Sequence, residues 1–186
     1  MFVMDLWTDE IVFEYTGRPM FADDAYENIR LALLMYNAEM NYENNKKGLF
    51  KYFSQHNCLY LLSETLEFLK DKEMVKPGMY GNKARGTGNY GSVAPYARRC
   101  IRDYLLKSIP LITEKEVDGE IVQEIKSVFN YQKIPSKALL QELAMYTTDG
   151  NFDRHDAFCF LMLLREDKLR LLGDTSADRK STRLNS

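Results

Sequence analysis

Two carboxylates in this chain stand at positions where an acidic side chain would need a compensating cation. Glu39 lies in a short strand-like segment between an apolar helix pattern and a polar loop. Asp153 falls in the first turn of a late helix pattern, where the helix dipole stabilises a negative charge. Its i+4, i+7 and i+11 neighbours are apolar, which places it at the edge of the buried stripe. Because burial of an unpaired charge is costly, both acids are candidate cation ligands.

Two such acids acting together could hold divalent cations for phosphodiester hydrolysis. These cations prefer oxygen ligands, and in a two-metal site one cation activates water while the other stabilises the leaving oxygen. Asp156 and His155 are close by and could compete with Asp153 for the same role. Simpler interpretations stay open, with Glu39 as an edge-strand residue facing water and Asp153 as a residue that merely favours a helix start.

Basic side chains concentrate between Lys76 and Lys107, although the net charge of the chain is -2. Glycines punctuate the first part of this segment, so its cations could follow a phosphate backbone without reading bases. A solvated surface loop explains the same charges. The loop lacks the GxxxxGK[ST] spacing of a nucleotide-binding loop. The candidate DNA-binding residues, including two in the polar loop after Glu39, are Lys46, Lys47, Lys83, Arg85, Arg98 and Arg99.

The hydrophobic pattern predicts an α/β fold that positions these side chains. Alternating aromatic and β-branched runs predict strands, and apolar residues at helical spacing predict helices. The predicted elements are a hairpin of 2–7 and 10–16, a helix over 22–36, a strand over 37–41, a helix over 49–56, a buried parallel strand over 58–62, a helix over 94–107, a segment 110–130 that fits a hairpin or a helix, a helix after Pro135 and a final helix capped by Asn151.

The composition fits one domain with a substantial core, since 45% of the 186 residues are hydrophobic. No apolar run is long enough to span a bilayer, and the first residues do not form a signal peptide. Cys58, Cys100 and Cys159 are far apart in apolar stretches, which indicates reduced core residues. Residues 178–186 have no periodicity and look like sequencing-adapter or vector read-through, so the expected domain is 1–177.

The glutamate-x-asparagine segment Glu39-Met40-Asn41 is followed by Gly48 and a helix pattern. It lies within one of four distinctive segments, VMDLWTDEIVFEYTGRP, YNAEMNYENNKKGLF, YGNKARGT and NFDRHDAFCFLMLLRED. Together these segments resemble the C-terminal nuclease domain of the large terminase subunit of tailed bacteriophages. The similarity covers roughly residues 2–170 and is more specific than any single motif.

This resemblance implies a ribonuclease-H-like mixed sheet flanked by helices, with its first strand missing. It also implies a metal-dependent endonuclease that cuts concatemeric double-stranded DNA during genome packaging, using two Mg²⁺ or Mn²⁺ ions. By position, Glu39 corresponds to the middle acid of the family and Asp153 to the last. In the family fold the first acid lies on the strand before the hairpin. Asp5 is in the first strand of this hairpin, which corresponds to the second strand of the family fold, and it is expected to face outward. The chain is therefore expected to be weak or inactive as it stands.

The partners implied by the resemblance are double-stranded DNA, an ATPase domain upstream in the same polypeptide, the phage portal and procapsid, and the small terminase subunit. The expected location is the host cytoplasm, transiently on the procapsid, with no membrane association. Two alternatives remain. A Holliday-junction-resolvase-like nuclease shares the acid arrangement, and a non-catalytic DNA-binding or assembly module could dock through the helix predicted at 94–107.

Overall fold

A computed structural model of the chain shows a mixed α/β fold. It describes residues 1–45, 47–71, 85–88, 91–117 and 120–184, without the side chains of 71, 117, 120 and 174–184. Short 3-10 helices lie at Leu59–Leu61 and Asn130–Lys133. The remaining elements of this part of the chain are β1 (Phe2–Asp5), β2 (Glu10–Glu14), α1 (Ala22–Met35), α2 (Lys47–Gln55), α3 (Glu67–Asp71), α4 (Val93–Leu105), β3 (Ser108–Val117), β4 (Glu120–Phe129), α5 (Lys137–Met145) and α6 (Asp153–Leu184).

The predicted N-terminal hairpin is confirmed. Strands β1 and β2 pair antiparallel, with Val3 opposite Phe13 and Asp5 opposite Glu10, and the register shifts between Val3 and Met4. Asp9 in the connecting turn has φ 60°, a left-handed conformation that aspartate adopts more readily than most residues. The short polar turn thus lets the two apolar runs fold back on each other.

The predicted helices over 22–36 and 49–56 are confirmed as α1 and α2. Leu33 of α1 and Phe53 of α2 are almost completely buried in one cluster with Tyr42, Leu61 and Leu62. The helical spacing of the apolar residues gives each helix a single buried side. This cluster supports the segment that carries Glu39.

Helices α4 and α6 form the centre of the molecule, and the helix predicted over 94–107 is confirmed as α4. Ala97 packs in one cluster with Leu163, whereas Ile101 packs in a second with Phe158 and Met162. Asn151 was predicted to cap the last helix, but α6 begins at Asp153 and the residue before it is Phe152. The Phe152 carbonyl accepts a hydrogen bond from the Asp156 amide. The helix assignment continues through Leu184, into the segment 178–186.

The ambiguous segment 110–130 is a β-hairpin. Strands β3 and β4 pair along their whole length, from Ser108 opposite Phe129 to Val117 opposite Glu120. Residues 118–119, where the turn was predicted, lie outside the described residues. The β-branched side chains that also matched a helix are largely exposed, with Ile121 at 72% and Ile125 at 69%. They are on both faces of the two-stranded ribbon, so their spacing does not follow the alternation of a half-buried strand.

Two predicted strands are wrong over most of their length. Within 37–41 only Met40 makes a bridge, parallel to Leu62. Residues 59–61 form a 3-10 turn, because the Leu61 and Leu62 amides donate to the carbonyls of Cys58 and Leu59. Each sheet in the described ranges has two strands, so the predicted extended mixed sheet is not seen there. No helix in those ranges is long and apolar enough to cross a membrane.

Candidate functional site

A groove with a volume of about 1070 Å³ is lined by all three predicted metal-binding acids, Glu39, Asp153 and Asp156. Its walls come from β1, the segment 37–43, α1 and α6. Apolar side chains of α6, including Phe160 and Leu164, also line it. The groove therefore combines apolar side chains with carboxylates from two separate parts of the chain.

Each of the two predicted catalytic acids has a cationic partner. The Lys168 ammonium of α6 lies 2.6 Å from a Glu39 carboxylate oxygen, and both side chains are about one third exposed. The Arg18 guanidinium lies 3.0 Å from Asp153, with side-chain exposures of 85% and 68%. The Lys168 pair is the more enclosed of the two, so it restrains its carboxylate more strongly.

Asp156 is connected to a buried histidine. The Asp156 carboxylate lies 3.1 Å from Nδ1 of His155, whose residue surface is only 4% exposed. The imidazole stacks on Tyr146 with a ring separation of 3.7 Å. This contact fixes the ring, while the Asp156 side chain stays 61% exposed to the groove. Asp156 is thus the most accessible acid in the α6 part of the site after Asp153.

The groove offers suitable ligand atoms for a divalent cation but no complete shell. Carboxylate oxygens are the ligands that Mg²⁺ and Mn²⁺ prefer. Among the described residues, no three aspartate, glutamate, histidine or cysteine side chains are close enough to share one ion. The Glu39 carboxylate would have to exchange its Lys168 contact for a metal contact. The residue types therefore fit a divalent ion, with further ligands needed from water or elsewhere.

Asn41, which the sequence interpretation treated only as part of a motif, has a structural role. Its amide nitrogen donates to the Phe160 carbonyl of α6 at 3.1 Å, and its amide oxygen accepts from the Thr87 hydroxyl at 2.9 Å. Both side chains are buried. This chain of bonds sets the position of the Glu39 segment relative to α6. In the sequence, the feature that could have indicated this role is the asparagine side chain two residues after Glu39.

Asp9 was also missed and forms the most extensive ion cluster near the groove. It accepts two hydrogen bonds from Arg165, both 2.6 Å, and one from Lys107 at 3.0 Å. Burial alone would raise the pKa of Asp9, but the bonds from Arg165 and Lys107 outweigh it and lower the pKa. The Tyr104 hydroxyl donates to the Asp9 carbonyl at 3.1 Å. The first hairpin is thereby attached to α4 and α6.

The four candidate DNA-binding residues that the structure describes differ in exposure and in contacts. Arg85 donates to the Leu62 carbonyl at 2.5 Å and is only 26% exposed, so it supports the chain locally. Arg98 faces Tyr146, with a hydroxyl contact of 3.3 Å. Arg99 is 70% exposed beside Asp103, and Lys47 is exposed at the start of α2. Lys46 and Lys83 lie outside the described residues.

Cys159 and His155 are residue types that can act as nucleophile and base, but their geometry here does not suit that role. The Cys159 sulfur lies 4.0 Å from both ring nitrogens of His155, so it is not directed at the lone pair of either one. Burial raises the pKa of Cys159 to about 12. The thiol therefore stays protonated at neutral pH and is a poor nucleophile.

A scan of family models finds none that matches this chain, and neither the curated proteins nor the solved structures contain a match.

Proposed function

We propose that the chain is a metal-dependent endonuclease domain that cuts double-stranded DNA. The observation that carries this proposal is the common groove lined by Glu39, Asp153 and Asp156. The first two come from distant parts of the chain, and a shared groove for them supports a shared function. Carboxylate ligands favour Mg²⁺ or Mn²⁺, and the two-metal arrangement is what the sequence resemblance implies.

The finer fold in this proposal is a ribonuclease-H-like mixed sheet flanked by helices, with its first strand missing. Support comes from the two strand directions seen near the groove. Strands β1 and β2 pair antiparallel, whereas Met40 and Leu62 form a parallel bridge. Residues of α1 and α6 line the same groove as β1 and the segment 37–43, as helices that pack against strands would. The family in the proposal is the large terminase subunit of tailed bacteriophages, supported by the four quoted sequence segments.

In this function, Glu39 and Asp153 would each supply a metal ligand and Asp156 would be a further one, in a two-ion site where no single ion takes all three acids. Bound divalent ions would activate water and stabilise the leaving oxygen of a phosphodiester. Lys168 contacts the Glu39 carboxylate at 2.6 Å and would be displaced from it when metal binds. The His155 contact limits the rotation of Asp156. Arg18 lies beside Asp153 and can interact with a phosphate once the acid binds metal.

DNA would contact the protein mainly through exposed cations at its surface. Arg99 and Lys47 are accessible for phosphate contacts, whereas Arg85 is committed to the Leu62 carbonyl. Such contacts give affinity without sequence preference. The wider proposal, from the sequence resemblance, includes an upstream ATPase domain, the portal and procapsid, the small terminase subunit, and action in the host cytoplasm.

Metal binding tests this proposal directly on the chain as it stands. Mn²⁺ affinity is measured by proton relaxation enhancement for the unaltered chain, Glu39→Ala and Asp153→Asn. We expect saturable binding that weakens at least about tenfold in each variant, the effect of losing one charged ligand. Asp149→Asn is the matched control, because Asp149 is an exposed acid that does not line the groove. Unaltered affinity in both groove variants, or no saturable binding, would overturn the proposal.

A plasmid-nicking assay in Mn²⁺ then tests the reaction. Weak cutting that requires Glu39 and Asp153 but tolerates Asp149→Asn supports a nuclease. Metal binding without any cutting by the chain, even with an upstream strand restored, would instead favour the non-catalytic DNA-binding module. Cutting restricted to four-way junctions would favour the resolvase alternative.

A further inference from the structure

A second cavity, with a volume of about 370 Å³, lies between α4 and α6. Among the described residues, four cationic side chains line it against two carboxylates. We call it the cationic cavity, after its members Arg99, Lys107, Arg165 and Arg170. Its volume is within the range of small-molecule sites. The cavity therefore has the size and the charge excess that a small anion requires.

Each acid at or next to the cationic cavity already has a close cationic partner. The pairs, with their closest contacts, are Arg165 with Asp9 at 2.6 Å, Arg170 with Glu166 at 3.0 Å and Arg102 with Asp103 at 3.0 Å. These three arginines compensate the three carboxylates one to one. The charges of Arg99 and Lys107 are therefore in excess.

Arg99 and Lys107 are second cations on carboxylates that they share. The Arg99 guanidinium lies 3.7 Å from Asp103, and the Lys107 ammonium lies 3.0 Å from Asp9. The two side chains are 70% and 51% exposed, so water screens both contacts and each contributes little. An anion that enters the cavity can recruit Arg99 and Lys107 without leaving either aspartate uncompensated.

Aromatic rings restrain the other two cations of the cavity. The Arg165 guanidinium lies 5.3 Å from the centre of the Tyr104 ring, and that of Arg170 lies 5.2 Å from the centre of the Phe68 ring. Such cation–π contacts add to the ion pairs of both arginines. Cations that are already ordered lower the entropic cost of binding a ligand. The cavity thus combines two restrained cations with two exposed ones that can move toward a ligand.

We propose that the cationic cavity binds a phosphate monoester. At neutral pH this group carries a charge of about −1.5 to −2 and three strong acceptor oxygens, which matches the two excess cations. The Arg99 guanidinium can donate to two oxygens at once, while Lys107 contributes a point charge. The monoester would belong to a free nucleotide or to the phosphorylated end of a DNA strand. This site requires neither the groove acids nor a metal ion, so it and the proposed nuclease can fail separately.

Two methyl esters of phosphate test the charge of the ligand on the full chain. Methyl phosphate is the monoester, and dimethyl phosphate is a diester with a single negative charge. Binding is measured by NMR titration in buffer freed of metals with a chelating resin, so that metal-bound phosphate cannot contribute. We expect saturable binding of methyl phosphate and at least about fivefold weaker binding of dimethyl phosphate, because charge-assisted hydrogen bonds are lost. Equal affinities, or no saturable binding of methyl phosphate, would overturn the proposal.

Three variants locate the site. Lys107→Met and Arg99→Met should each weaken methyl phosphate binding at least about fivefold, the effect of one lost hydrogen bond to a charged group. Lys126→Met is the matched control, because Lys126 is 54% exposed, contacts Glu124 at 3.3 Å and does not line the cavity. Arg99 makes no contact with Asp9, so Arg99→Met keeps the test valid if Lys107→Met destabilises the hairpin. Unaltered affinity in Arg99→Met, or an equal loss in Lys126→Met, would overturn the proposal.

A final comparison distinguishes the two sources of the monoester. The probes are AMP and a short single DNA strand with either a phosphate or a hydroxyl at its 5′ end. A 5′-phosphate that strengthens binding of the strand at least about fivefold, with the gain lost in Arg99→Met, would support the DNA end. AMP that binds more tightly than methyl phosphate, without such a gain for the strand, would support a free nucleotide. No gain from the 5′-phosphate, together with AMP no tighter than dimethyl phosphate, would overturn the proposal.

Discussion

Lys168 of α6 contacts Glu39 at 2.6 Å and joins the long C-terminal helix to the segment that carries the first candidate acid. Both side chains are about one third exposed, so water screens the pair only partly. The lysine compensates the carboxylate in the absence of metal. A divalent ion at Glu39 must compete with this ammonium for the same oxygens.

Replacement of Lys168 by methionine should therefore strengthen metal binding. We expect Mn²⁺ affinity to rise about threefold, the equivalent of a partly exposed ion pair worth well under 1 kcal/mol. Lys168→Arg keeps the charge and should leave affinity near its original value. Lys126→Met changes an exposed lysine of β4 and is the control for net charge. Mn²⁺ affinity is measured by titration calorimetry. Equal affinities for Lys168→Met and the unaltered chain would show that Lys168 does not compete with the metal for Glu39.

The Asp9 and Arg165 pair should contribute to stability. These side chains are 18% and 12% exposed, so removal of one partner leaves a poorly solvated charge. We expect Asp9→Asn to lower the free energy of unfolding by about 2 kcal/mol at neutral pH. Asparagine tolerates the left-handed φ of this turn, so the change tests charge more than backbone strain. Urea denaturation provides the measurement.

This loss should depend on pH in one direction. The pKa of folded Asp9 is lowered, whereas an unfolded aspartate titrates near 3.9. The stabilisation is complete above about pH 5 and is lost as the pH falls toward the folded pKa. The difference between Asp9→Asn and the unaltered chain should shrink between pH 6 and pH 3. Asp103→Asn, in a pair that is 70% and 55% exposed, should cost less than about 0.5 kcal/mol at either pH.

The sequence pattern alone was sufficient for elements whose apolar residues recur at the spacing of a single helix or strand type. Apolar spacing identified α1 and α2, and alternation identified the first hairpin. It failed at Leu59–Leu61, because an apolar run fits a buried strand and a tight helical turn equally. It could not decide segment 110–130, where β-branched residues fit both periods. Side-chain pairs such as Arg165 with Asp9 depend on tertiary packing, and no local pattern contains them.

The same distinction applies to the candidate site. Glu39, Asp153 and Asp156 were identified from residue type and position, and all three line one groove. Their partners Lys168 and Arg18 were not identified, because they approach from distant parts of the chain. The predicted basic loop lies mostly outside the described residues, and its member Arg85 contacts the Leu62 carbonyl.

The buried Asn41 and Thr87 side chains should stabilise the groove as a unit. Asn41→Leu removes two hydrogen bonds and leaves the Phe160 carbonyl without its side-chain donor. We expect a loss of about 2–3 kcal/mol in the free energy of unfolding. Thr87→Val should cost about 1 kcal/mol, and the double variant should cost less than the sum of the two. Additive losses would show that the 2.9 Å contact does not couple the two residues.

Variants of Arg85 and Arg99 should distinguish an arginine that stabilises the fold from one that binds DNA. Arg85→Met loses a guanidinium contact to the Leu62 carbonyl and should lower the free energy of unfolding by about 1.5 kcal/mol. Arg99→Met removes an exposed charge and should leave stability within about 0.5 kcal/mol. It should weaken DNA binding uniformly and reduce the salt slope of binding by about one. Fluorescence anisotropy at several salt concentrations checks this, and an unaltered slope would exclude a phosphate contact by Arg99.

The cysteines near α4 and α6 should resist alkylation in the folded chain. Burial raises the pKa of Cys100 to about 11 and that of Cys159 to about 12. At pH 8 only about one thousandth of Cys100 is then in the thiolate form, whereas roughly a quarter of an unperturbed cysteine is. Iodoacetamide followed by peptide mass spectrometry should show slow labelling of both sites, which accelerates as the pH rises toward 10. The urea-unfolded chain gives the reference rate. Folded-state labelling at that reference rate would mean that the thiols are accessible and ionised.

Cys159→Ser should also retain any Mn²⁺-dependent nicking, because a protonated thiol 4.0 Å from both nitrogens of His155 is poorly placed to act as the nucleophile. Loss of nicking in this variant, with Mn²⁺ affinity and stability unaltered, would transfer the reaction from the carboxylates to the cysteine.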